Sequence, residues 1–377
     1  MSSDDIPEPD RIEGAPHPRE TTRLFGQDPA QAAFLDAFNS GRLHHGWMIT
    51  GPKGIGKATF AWRAARFLLT QPLDADDGLF GAPPAPTSLE VDPDHPVATR
   101  LRALSEPNLF LLRRAWREKP SPARLQTVIT VDEVRRLKEF FALSAAGGGR
   151  RVVIADAADE MNVNAANALL KLLEEPPENA TIFLIVHQPA RLLPTIRSRC
   201  RELRLSPLAP GDMAQAMQSA GTETDDSAAL ATLAAGSVGE AIRLTHQDGL
   251  KHYAGLLQLL NSMPNVDRPA ALALANSCAG KANEARYDLT LRLLDLLLTR
   301  LARAGAGQPP EVEAAQGEIQ IFARLCPDIP AARKWAQGAT EINARLGHGR
   351  AVNLDPSTLI LDTVLRMNEM AAELVAR

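Results

Sequence analysis

The sequence predicts an α/β domain on a parallel sheet, then a small helical unit and an all-α C-terminal domain. Three observations predict this. The apolar segment WMIT at 47–50 runs directly into the glycine-rich GPKGIGK, and the residues after it have helical spacing. Apolar, strand-like runs then alternate with amphipathic segments as far as residue 186, the order expected of a parallel sheet covered by helices. Past about Pro207 the strand signals stop, and Leu- and Ala-rich segments with helical spacing continue to Arg377.

The 377 residues, 45% of them hydrophobic, exceed what one core usually absorbs, so two or three domains are expected. Residues 1–22 mix acids with proline and lack the basic start and apolar stretch of an export signal, so they read as a flexible leader. Residues 23–206 carry the α/β pattern. Gln31 to Phe38 reads as a short helix, 47–50 as the first strand, and ATFAWRAARFLL places Phe60, Ala64, Phe67 and Leu68 along one helical stripe. The stretch 71–107, rich in Pro, Asp, Gly and Ala, reads as a surface excursion, and LFLLRR at 109–114 as the next strand. Thr130 with Glu133 gives a capping-box signal for a helix that lines up Val131, Val134, Leu137 and Phe141 and is closed by the glycines at 147–149. RVVIADAA at 151–158 is a buried strand ending in an acid. NVNAANALLKLLEE at 162–175 is a helix stopped by Pro176 and Pro177, and TIFLIV at 181–186 is another buried strand. Residues 207–248 form the small helical unit. Residues 249–377, with LLQLLNSM, LTLRLLDLLLTRLARA and LILDTVLRMNEMAAEL, form the C-terminal helical domain.

Composition excludes several function classes. A net charge of -4 and a pI near 6.1 argue against a surface that grips DNA all over, so any nucleic-acid contact is shared with partners. Cys200, Cys278 and Cys326 stand too far apart for a zinc knuckle or a redox motif and read as reduced thiols, with no metal site. The apolar runs fall short of a membrane span, and a cytoplasmic protein is expected.

The chemistry sits around GPKGIGK. Gly51, Gly54 and Gly56 permit the tight path that turns backbone N–H groups toward phosphate oxygens, and Lys57 can bring a cation to the terminal phosphates. The competing reading is an ordinary strand-to-helix turn. Ala58 stands where a hydroxyl would hold magnesium, and Thr59, one residue on, points elsewhere by about 100° around a helix. Asp156 can orient metal-bound water, but Ala157 follows it where a water-positioning carboxylate is needed. The acids Asp159 and Glu160 are offset from that position. Weak or absent intrinsic ATP hydrolysis is therefore expected; ATP or ADP can still sit in the loop without efficient turnover.

GPKGIGK, VVIAD, NAANALLKLLEEPP at 164–177 and LLPTIRSRC at 192–200 occur in an order that resembles the clamp-loader branch of the AAA+ proteins, over most of residues 24–245. The resemblance implies an AAA+ P-loop module, a small helical lid over 207–248 and a C-terminal oligomerisation collar over 249–377. It implies that Arg199, in Ser198-Arg199-Cys200, projects toward ATP bound by a neighbouring subunit, where a guanidinium can neutralise charge on the transferred phosphate. It places His187 and Arg243, the latter in GSVGEAIR at 236–243, at sensor positions; a structural histidine and a helix-surface arginine are the plain alternatives. Ser198 is expected to orient the turn and Cys200 to pack at a strand entrance. The implied partners are ATP-hydrolysing gamma/tau-type subunits, a delta subunit, the sliding clamp and primer-template DNA through the assembly. Many such proteins carry a four-cysteine zinc module that the 71–107 excursion, having no cysteine, does not supply. The alternatives are an ATP-hydrolysing subunit of the same family and a DNA-binding scaffold or adaptor on a degenerate AAA+ fold.

Overall fold

The computed structural model describes residues 8, 11, 12, 14–73, 84–117, 124–142, 149–222 and 226–375. The chain divides into two compact units, Met1–Thr222 with Gly236–Glu240, and Glu223–Ala235 with Ala241–Arg377.

The first unit holds helix α1 (Asp28–Asn39), strand β1 (Gly46–Thr50), α2 (Lys57–Thr70), α3 (Pro96–Arg102), β2 (Leu109–Leu112) and a short antiparallel ribbon of β3 (Trp116–Arg117) and β4 (Arg124–Leu125). It continues through α4 (Val131–Ala142), β5 (Arg151–Ala155), α5 (Val163–Glu174), β6 (Ala180–Ile185), α6 (Pro194–Arg197), β7 (Arg201–Arg204) and α7 (Pro210–Ser219). Five strands form one parallel sheet in the order β2-β5-β6-β1-β7. The central strands β1 and β6 are buried at every position, which is why their sequences read as unbroken apolar runs, whereas edge strand β7 is the charged RELR.

Alternation along the strands sends side chains to two helical layers. Met48, Val153, Ala155, Ile182 and Leu184 share one buried cluster with Val134 and Leu137 of α4 and with Ala165, Leu169 and Leu173 of α5. In the opposite alternation, Trp47 and Phe183 pack around Phe34 of α1, with ring centroids 5.0 and 5.7 Å from it, and Phe60 of α2 meets Phe34 edge-on at 5.9 Å. The stripe expected on α2 is buried throughout. β1 lies between β6 and β7, so the chain order reverses at its carboxyl end, the crevice where open α/β sheets place ligands.

Three local expectations meet a different structure. The capping box at α4 does not form: the Thr130 hydroxyl is buried without a hydrogen-bond partner, and Glu133 accepts instead from Arg136 at 3.0 Å. The excursion contains α3, whose Val97, Ala98 and Leu101 are buried. Within the expected leader, His17 is only 1% exposed and meets Trp62 edge-on, while Arg63 and Arg66 of α2 donate to the carbonyls of Thr22 and Arg19 at 2.6 and 2.7 Å. Two long cationic side chains on a buried helix need acceptors, and this segment supplies them. Gly147 and Gly148, expected to close α4, and residues 74–83 of the excursion lie outside the described residues.

The second unit is helical: α8 (Ser227–Ala234), most of α9 (Val238–His246), α10 (Gly249–Asn261), α11 (Arg268–Ser277), α12 (Glu284–Gly305), α13 (Glu318–Leu325), α14 (Ile329–Ala351) and α15 (Pro356–Val375). Its core holds a fully buried carboxylate, Glu318. That group accepts from Tyr253 at 2.5 Å, from Arg300 at 2.7 and 2.8 Å, and from the Ala314 N–H at 2.7 Å. With every oxygen engaged, the charge is tolerated inside the bundle. Among the described residues no helix is long and apolar enough to cross a membrane.

Candidate functional site

Residues 51–56 leave the carboxyl end of β1 and close on the first turn of α2. Gly51, Gly54 and Gly56 all have positive φ, at 135°, 80° and 98°. At Gly51 a Cβ would lie 2.5 Å from the Leu205 carbonyl oxygen, and at Gly54 it would lie 2.4 Å from the Ser237 hydroxyl. Both positions therefore need glycine for space as well as for backbone angle. Lys57 begins α2 and is 3% exposed. Its ammonium turns back on its own loop, donating to the carbonyls of Gly51 at 2.6 Å and Pro52 at 2.5 Å. Burial pushes its pKa down to about 8 against the attraction of Asp159 and Asp156, and Lys53 lowers it further.

Asp156 follows β5 directly, as expected from sequence, and lies close enough to Lys57 to favour its charge. The more elaborate role belongs to Asp159, one turn further on and 6% exposed. Its carboxylate accepts from the backbone N–H of His187 at 3.0 Å and of Gln188 at 3.1 Å, tying the exit of β6 to the exit of β5. Its offset from the strand-end position, which argued against a water-orienting role, is what lets it reach across to β6. His187 thus stands beside the loop lysine. Burial, then the positive charge of Lys57, pushes its pKa down to about 4, so the imidazole is neutral at neutral pH; its Nδ1 is buried without a partner.

A magnesium-bound nucleotide is the group this fold implies at such a loop, and the residues do not fit it. Ala58 offers no oxygen, Ala157 is buried with only a methyl group, and Lys57 spends two of its three ammonium donors on loop carbonyls. The loop is also covered: the Ser237 hydroxyl donates to the Lys53 carbonyl at 2.9 Å, and the Gly239 N–H donates to the Gly54 carbonyl at 2.9 Å. Thr59 sits one residue along α2, half-buried. Arg243, the other sensor candidate, lies in the last turn of α9 and belongs to the second unit. Among the described residues no group of three or more His, Cys, Asp or Glu side chains is placed to hold a metal ion.

Arg199 stands in the turn between α6 and β7. Pro194 starts α6, and the Thr195 carbonyl then accepts from the Ser198 hydroxyl at 3.1 Å and from the Arg199 guanidinium at 3.2 Å. Ser198 therefore orients the turn, as expected. A second contact, an ion pair at 2.9 Å, joins Arg199 to Glu174 in the last turn of α5, with the two side chains 39% and 42% exposed. Cys200 packs inward beneath β1, and burial pushes its thiol up to about 12. No sequence signal distinguished Glu174 from Glu175, because both precede the double proline; the pairing is set by the approach of two distant segments.

A family model described as DNA polymerase III, delta subunit, matches residues 26–209. DNA polymerase III subunit delta' of Pseudomonas aeruginosa is 39% identical over 173 residues, 46% of this chain and 46% of that protein. The same subunit of Escherichia coli is 32% identical over 322 residues, which span 82% of this chain and 88% of the relative. This chain belongs to the DNA polymerase III delta-prime family. Its match to the Pseudomonas delta-prime protein covers about half of that relative's length, whereas the Escherichia match reaches into the helical second unit. The four segments that carry the resemblance, from GPKGIGK to TIRSRC, fall inside the matched 26–209. A solved gamma-subunit-related protein from Thermotoga maritima aligns at TM-score 0.42 with 17% identity, over 90% of this chain and 99% of that one.

Proposed function

We propose that this delta-prime family chain acts in a replicative clamp loader as a subunit that hydrolyses ATP poorly or not at all, and that it lends Arg199 to ATP held by a neighbouring subunit. The observation that carries this reading is a split within one module. Ala58 in the first turn of α2 and Ala157 just past β5 stand where metal and water need oxygen ligands, while the Arg199 side chain remains 39% exposed in a turn held by α5 and α6. A guanidinium delivered in this way neutralises charge on the transferred phosphate, an effect worth about 10³- to 10⁵-fold in rate in well-studied nucleotide hydrolases. It keeps that value when its own subunit hydrolyses nothing.

The proposed partners are ATP-hydrolysing subunits of gamma/tau type, a delta subunit, the sliding clamp and, through the assembly, primer-template DNA, in the cytoplasm. Residues 23–206 would serve as the AAA+ module, 207–248 as its lid and 249–377 as the collar; residues 1–22 precede the module. The reading requires no turnover at the chain's own loop, with or without bound nucleotide, and gives His187 and Arg243 no catalytic duty. A turnover assay on the purified chain tests it. Background-level hydrolysis, the same in wild type and Lys57→Ala, is expected; robust hydrolysis abolished by Lys57→Ala would overturn it.

A further inference from the structure

We propose that Glu174 is the positioning residue for Arg199, an inference that rests on the trans role given to that arginine. A glutamate in the last turn of a helix faces the negative end of the helix dipole, an unfavourable place for a carboxylate on its own. Here the compensation is Arg199, whose terminal nitrogen lies 2.9 Å from the Glu174 carboxylate. The second terminal nitrogen donates to the Thr195 carbonyl at 3.2 Å. Two contacts on different segments, one from α5 and one from α6, select a single orientation for a side chain that otherwise samples many rotamers.

These contacts restrain the guanidinium without using it up. It has five N–H donors, and one contact at each terminal nitrogen leaves more than half of them for oxygens approaching from outside. Both partners are about two-fifths exposed, so the pair is screened and weak, enough to bias rotamers and too weak to hold the arginine back from a phosphate. Arg199 therefore reaches the neighbour's nucleotide with its ordering cost already met inside its own subunit, as an orienting carboxylate does for a catalytic side chain. Glu175, adjacent in sequence, is exposed and carries no such contact to Arg199.

The test is DNA-stimulated ATP hydrolysis by a clamp loader reconstituted from this full chain and its ATP-hydrolysing partners, with assembly followed by gel filtration. Wild type, Glu174→Ala, Glu174→Gln, Arg199→Ala and the Glu174→Ala/Arg199→Ala double variant are compared. Glu174→Ala should assemble normally and lower kcat at the one active site facing this chain by about twofold to fivefold with the KM for ATP unchanged, the kinetic equivalent of about 0.5 to 1 kcal/mol. Glu174→Gln, which keeps an acceptor for the guanidinium, should recover part of that loss. The double variant should be no slower than Arg199→Ala alone, because a positioning residue has nothing left to position. Wild-type or faster turnover in Glu174→Ala, loss of assembly in that variant, or a further fall in the double variant overturns the inference while leaving the trans arginine standing. Full activity in Arg199→Ala defeats the underlying reading instead.

Discussion

Replacing Asp159 with alanine should destabilise the first unit. Asp159 is 6% exposed and its carboxylate accepts from two backbone N–H groups at 3.0 and 3.1 Å, so its removal strips both donors of their acceptor in a partly buried setting. It also removes the largest attraction on Lys57, a residue 3% exposed whose pKa is already pushed down to about 8. Each hydrogen bond to a charged group contributes about 1.5 to 3 kcal/mol, and breaking a buried charge cluster costs about 3 to 5, so a loss of about 4 kcal/mol is expected. With a urea m-value of about 2 kcal/mol/M, the unfolding midpoint falls by about 2 M. Asp159→Asn keeps one acceptor oxygen and should lose about half as much. Urea unfolding followed by tryptophan fluorescence in a Trp335→Phe background reports on the first unit, since Trp47, Trp62 and Trp116 lie there and Trp335 lies in the second. A midpoint within about 0.3 M of the parent protein would refute the idea that this carboxylate clamps the two strand exits.

Further outcomes follow from the same physics. His252, 5% exposed and hydrogen-bonded to Thr290, has its pKa pushed from 6.5 to about 4 by burial and then by Arg286. The unfolded chain binds the extra proton first, so the second unit should lose up to about 3 kcal/mol as pH falls from about 6.5 to 4, a slope that His252→Gln removes in acid unfolding curves. Gly51→Ala should cost about 2 kcal/mol or more in thermal unfolding, because the new methyl group meets the Leu205 carbonyl at a φ of 135°. Cys200, with its thiol near 12, should react with iodoacetamide at pH 8 far more slowly than a free cysteine, measured by mass spectrometry.

The sheet was legible because its central strands are apolar on both faces, and the loop because glycines at 51, 54 and 56 precede Lys57 between a strand and a helix. The missing oxygen at Ala58 was equally plain, since absence of a functional group is a property of the residue itself. What escaped were contacts between distant segments. The docking of His17 and Arg19 depends on where α2 places two buried arginines, and a segment rich in proline and acids gives no sign of that. α3 was obscured by flanking turn residues, although Pro96 at its first position is a helix-start signal. Thr130 and Glu133 had the right spacing for a capping box, but Arg136 competes for the glutamate. The register of Asp159 excludes a water-orienting role, while the contacts it makes depend on β6, which lies beside β5 only in the folded sheet. Glu174 became meaningful only when α5 and α6 met.

Hydrolysis of ATP by the reconstituted, DNA-stimulated clamp loader carrying Arg199→Ala tests the division of labour most directly. An assembly of normal composition, whose one active site facing this chain falls about 10³-fold or more while the others continue, is the predicted result. Unchanged turnover at that site in a fully assembled complex would contradict it.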